Sequence, residues 1–113
     1  MKIDRARLIF IDASGGGLAA LAAGVASKLG HEGAIAATSS DQIAVPPEVA
    51  LVLQEIGAKA PPVQRAHELA SSRARAIDPA AFAFPLYPGE GDLERRAAAR
   101  IARDRIERHL EKR

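Results

Sequence analysis

The sequence predicts an α/β fold: a small three-layer, doubly wound parallel sheet of three or four strands, flanked by helices. Three observations carry it. A run apolar on both faces, Leu8-Ile9-Phe10-Ile11, ends at Asp12, and such runs mark central strands of parallel sheets. A glycine-rich loop, Ser14-Gly15-Gly16-Gly17, and an alanine-rich helical stretch follow at once. Strand, loop and helix form the repeating unit of α/β proteins. Further short apolar runs then alternate with helical periodicity.

Length and composition set the bounds. At 113 residues the chain reads as one domain, 1–113. Apolar residues make up 48%, but much of that is alanine and aromatics are only 4%, so the core is thin and the helices must pack closely. The chain has no cysteine, which excludes disulfides, thiolate metal sites and a cysteine nucleophile. A net charge of +2 is too small to argue for nucleic acid. The first apolar run is too short for a signal peptide and follows Asp4. No stretch has the length of a membrane span. A soluble cytoplasmic protein is expected.

Each element has its reason. The strand at 8–11 is β-branched and aromatic. Asp12 and Ala13 leave it, Ser14 is placed to cap a helix, and Gly15–Gly17 allow positive φ and close backbone approach. A helix is predicted from about Leu18 to Leu29, with Leu18, Leu21, Ala22, Val25 and Leu29 at helical spacing and Gly30 at the C′ position. Its other face carries Ala19, Ala20, Ala23 and Ala26, available to be covered or to meet a partner. Gly33–Thr38 reads as a second parallel strand and 38–42 as a polar loop. Pro46 and Pro47 open a helix with the stripe Val49, Val52, Leu53 and Ile56, ended by Gly57. Residues 63–72 read as a short helix. A third strand is expected either at 73–77 or at 81–86, with Pro85 at its end. The last helix is predicted from about Asp92 to Glu111, burying Ala98, Ile101, Ala102, Ile106 and Leu110.

The chemistry-bearing residues are few. Ser14–Gly17 lacks the glycine spacing and second-strand acid of a dinucleotide fingerprint, and no Gly-Lys-Ser/Thr follows it. His31, His67 and His109 lie in separate segments, so no metal site and no cofactor is expected. Arg95, Arg96, Arg100, Arg103, Arg105 and Arg108 interleave with Glu94, Asp104 and Glu107 on the last helix. That pattern reads as a solvated face with local ion pairs.

Residues 7–30 resemble the opening of the low-molecular-weight protein tyrosine phosphatase fold, shared by arsenate reductases of the thioredoxin-linked type. There an apolar strand runs into a loop holding a cysteine, five intervening residues and an arginine, then a serine and a helix ending in Leu-Gly. Here Leu8–Ile11 leads to Asp12, and the helix ends in Lys28-Leu29-Gly30. Ile35–Ser40 is similar to the family's second strand and turn. Pro46–Gly57 is similar to its second helix, and Ala102–Arg108 to the closing helix of the reductase branch. The resemblance implies a truncated phosphotyrosine phosphatase I-like fold, shorter than family members between the third helix and Phe84.

The departures fall on the chemistry. The resemblance puts Asp12 at the nucleophilic cysteine, Leu18 at the phosphate-gripping arginine and Ala19 at the following serine. The turn that would carry the Asp-Pro general acid reads Pro85-Leu86-Tyr87-Pro88. Asp12 also sets a negative charge where an oxyanion would sit, a repulsion of roughly 1 kcal/mol at 4 Å in water and more at lower dielectric. The loop Asp12, Ala13, Ser14, Gly15, Gly16, Gly17 and Leu18 is then a site-shaped loop. Two readings of Asp12 stay open: it ends the strand and caps the loop, or its carboxylate accepts hydrogen bonds from the N–H groups of Ser14–Gly17 and fills the cradle; small anions are disfavoured. The expectation is a non-catalytic, pseudo-phosphatase-like module acting through a protein partner or self-association, without membrane or nucleic acid. The alternative is a hydrolase or anion-binding enzyme using Asp12 with the Ser14–Gly17 loop in place of the usual cysteine and arginine.

Overall fold

The computed structural model describes residues 8–31, 33–69, 76–81 and 91–111. Strand β1 is Ile9–Asp12, helix α1 Gly17–Lys28, strand β2 Ile35–Thr38, helix α2 Pro47–Gln54, strand β3 Val63–Arg65 and helix α3 Asp92–Glu111, with a 3₁₀ turn at Pro79–Ala81. β1 pairs in parallel with β2, from Ile9 with Ile35 to Asp12 with Thr38. β2 pairs in parallel with β3, from Ala36 with Val63 to Thr38 with Arg65. On the free side of β1, Ile77 makes an isolated parallel bridge to Phe10. The order across the sheet is therefore Ile77, β1, β2, β3. The chain steps outward twice and then returns to the other side of β1. That reversal places the carboxyl end of β1, and Asp12, where open α/β sheets hold ligands.

Successive strand side chains alternate between two faces. Phe10 and Ala36 share one core with α1, α2 and α3, and Ile9 and Ala37 pack with Leu69 on the other face. All three described α-helices thus belong to the first core. A doubly wound sheet would carry helices on both faces; among the described residues, Leu69 and Ala76 cover the second face. α1 is buried along Gly17–Ala26, so of the two readings of its alanine face, covered within the chain or meeting a partner, the first holds. Alanine permits this close stacking, and fully burying Leu18, Leu21 and Val25 contributes about 1.5–3 kcal/mol each. Gly24 marks the closest approach: a Cβ there would meet Leu53 Cδ1 at 2.7 Å.

Both glycine helix ends expected from sequence form. Gly30 has φ +101, its N–H reaches the Ser27 carbonyl, and the His31 N–H reaches that of Ala26. Gly57 repeats the arrangement, with its N–H on Gln54 and the Ala58 N–H on Leu53. This double bond is the Schellman motif.

Three local expectations change. Residues 63–65 are strand β3, not the start of a helix, and residues 66–69 form a 3₁₀ turn. The free edge of β2 takes Val63 as partner, and tertiary pairing outweighs the weak helical pattern. Of the two third-strand candidates, Ile77 joins the sheet as a single bridge; residues 73–75 and 82–86 lie outside the described residues. On α3 the buried line is Ala99, Ala102, Ile106 and Leu110. Ala98 is only half-buried and Ile101 is 51% exposed, because the helix is rotated to bring Arg100 and Arg103 beside α2.

Candidate functional site

The site is built at the carboxyl end of β1. Parallel pairing puts Asp12 and Thr38 side by side, and the turn into α1 folds back over them. The Asp12 side chain is buried, 3% exposed. Its Oδ1 accepts the Ser14 N–H at 3.1 Å and the Gly16 N–H at 2.9 Å. Its Oδ2 accepts the Ala19 N–H at 2.9 Å. Ala19 is the third residue of α1, the position whose N–H a helix cap normally satisfies. Gly16 stands at the N-cap, with φ +97 and no side chain to offer. The cap is supplied by Asp12 from the strand, rather than by Ser14, and the helix dipole favours a carboxylate there.

Thr38 closes the arrangement. Its Oγ1 accepts N–H groups from Gly15 and Ser40, both at 3.1 Å, and donates to the Asp12 carbonyl at 3.2 Å. The Ser39 N–H also reaches that carbonyl, at 2.8 Å. The Ala44 N–H bonds the Gly15 carbonyl at 2.8 Å, so the segment after β2 runs along the glycine loop. The glycines serve this packing. A Cβ at Gly16 would sit 2.3 Å from Val63 Cγ1, and one at Gly15 would sit 3.1 Å from the Ala44 backbone.

The loop residues singled out from sequence come together, with different exposures. Ala13 and Ser14 are exposed, whereas Gly15, Gly16, Gly17 and Leu18 are buried. Leu18 belongs to the core shared by the helices, so its side chain faces inward. Arg65, at the end of β3, is exposed and donates from Nη1 to the Asp41 carbonyl at 2.8 Å. Thr38, which the sequence places at the end of the second strand and the start of the polar loop without a role at the site, is the functional residue that only the structure adds. Its signal was register: both strands end in a polar residue, at matching positions.

A nucleophilic or basic carboxylate needs an accessible oxygen. Both oxygens of Asp12 are instead buried and engaged by backbone donors. Among the described residues, no three histidine, cysteine, aspartate or glutamate side chains converge as metal ligands. A groove of about 480 Å³ opens at the far end of α2, lined by Ala50, Gln54, Gly57, Ala58, Lys59 and Ala60. It is remote from Asp12, because α2 runs away from the carboxyl ends of the strands.

The arginines of α3 make mainly contacts between helices. Glu55, just past α2, receives Arg100 Nη2 at 2.6 Å and Arg103 Nη1 at 2.7 Å. Arg103 Nη1 also donates to the Val52 carbonyl at 2.8 Å. Glu48 pairs with Arg95 at 3.3 Å, and Arg95 also pairs with Asp92. Hydrogen bonds from Arg100 and then Arg103 hold the Glu55 carboxyl down at about 2. The local pairs expected along α3 are present as Arg95 with Asp92 and Arg103 with Asp104, and the pairs to Glu48 and Glu55 fasten α3 to α2 as well. No helix among the described residues is long and apolar enough to cross a membrane. No protein-family model and no curated protein sequence matches the chain.

Proposed function

We propose that this protein is a non-catalytic, phosphatase-like α/β module that acts by binding, its oxyanion loop closed by its own aspartate. One observation carries the reading: the Asp12 carboxylate takes the N–H groups of Ser14, Gly16 and Ala19. An oxyanion held at a helix N-terminus uses donors of this kind. With a resident carboxylate there, an incoming phosphate meets both occupied donors and a like charge. The hydrolase alternative requires Asp12 to reach a substrate, and its 3% exposure counts against that.

The test is calorimetric titration of phosphate and vanadate into the wild type and into Asp12→Gly, with a phosphomonoester assay beside it, with and without Mg²⁺. The wild type is expected to bind neither anion and to turn nothing over, while Asp12→Gly gains anion binding. A tight wild-type phosphate complex, or turnover that Asp12→Gly abolishes, overturns the reading.

A further inference from the structure

We infer that α3 is a self-association surface: two copies of this chain pair through the outward face of α3, antiparallel about Ile101. The inference is independent of what the Asp12 loop does. α3 is 20 residues, about 30 Å long. Its inner line, Ala99, Ala102, Ile106 and Leu110, is fully engaged with the core. The opposite face carries Leu93, 79% exposed, exposed Ala97, and Ile101, 51% exposed. Leu93 and Ile101 are the most exposed large apolar side chains among the described residues, and with Ala97 between them they recur every four residues on one helical face.

Charge selects the occupant and its direction. The first turn of α3 carries the acids Asp92 and Glu94 beside Arg95, and the last carries Arg108 and His109 beside Glu111. Glu94 and Arg108 each lie seven residues from Ile101, two turns away and on the same face. In an antiparallel pair centred on Ile101, Glu94 of each copy lies opposite Arg108 of the other, and Ile101 meets Ile101. A parallel pair would set like charges together at both ends. The surface is thus complementary to itself under a two-fold axis, the commonest symmetry of soluble oligomers. The arginines that fasten α3 to α2, Arg100 and Arg103, lie on a flank and remain in place.

Sedimentation equilibrium across a concentration series tests this, with circular dichroism confirming that each variant is folded. The wild type is expected to dimerise, more weakly at high salt. Ile101→Glu should be monomeric. Glu94→Arg and Arg108→Glu should each weaken the dimer by roughly tenfold, since each reverses two charge pairs at once. Their combination should restore it. A monomeric wild type overturns the inference, as does a dimer indifferent to Ile101→Glu. Single reversals that weaken the dimer without rescue by the pair overturn the antiparallel register.

Discussion

Two carboxylates in this protein are held in opposite ways. Asp12 is buried and receives three backbone N–H groups. Glu55 is exposed and receives two arginine side chains. Backbone donors are fixed by the fold and cannot turn to water when their acceptor is removed. Arginine side chains can. The first arrangement is therefore part of the fold, insensitive to salt and costly to break. The second is an adjustable fastening between α2 and α3, sensitive to pH and ionic strength.

The largest expected effect is at the buried carboxylate. Asp12→Ala leaves three donors without a partner, at about 1–3 kcal/mol for each that stays buried. A loss of at least about 3 kcal/mol in urea unfolding is expected. Added phosphate should recover part of it in the variant and none in the wild type. Recovery in both would erase the contrast between a filled and an empty cradle.

Gly16→Ala comes next. It forces a side chain into positive φ and into Val63 Cγ1 at 2.3 Å. A cost of about 2–4 kcal/mol is expected. Val63→Ala in the same chain should relieve only the clash, because the backbone conformation remains.

Thr38→Val keeps the shape and removes the acceptor for Gly15 and Ser40. The expected loss is about 1–3 kcal/mol, and salt should not change it.

The smallest effect belongs to Glu55→Gln. The folded carboxyl is lowered to about 2 from an ordinary value of 4.5. Its contribution is therefore complete above about 4.5 and is lost as pH falls through about 2. The wild type should lose stability across that window, and Glu55→Gln should show a flatter acid limb in thermal unfolding. At neutral pH, added salt should narrow the difference between the two chains. An unchanged acid limb would show that the exposed fastening contributes nothing to stability.

Much of the fold is legible in the residues. The apolar run at 8–11, the paired prolines before α2 and the glycines at 30 and 57 each act locally, through side-chain shape or permitted φ. The elements they specify form within a residue or two of where the sequence puts them. The site was legible in outline: Asp12 follows a strand and precedes glycines, so its carboxylate lies within reach of loop N–H groups. The Thr38 clamp was not, because it depends on the register between β1 and β2. Nor was β3, whose three residues carry little preference of their own. Pro61-Pro62 before Val63 favours an extended approach, the one local hint of a strand there.

The amino-acid sequence by itself determined the α/β class, the three helices, and an aspartate where the loop begins. Only the tertiary structure decided which faces those helices cover. It also decided that the glycines admit the protein's own Val63 and Ala44, and that the arginines of α3 reach across to α2. The physical reason is range. Propensity, capping and turn chemistry act over a few neighbours along the chain. Strand pairing, core rotation and side-chain clamps depend on residues that meet only after the chain has folded.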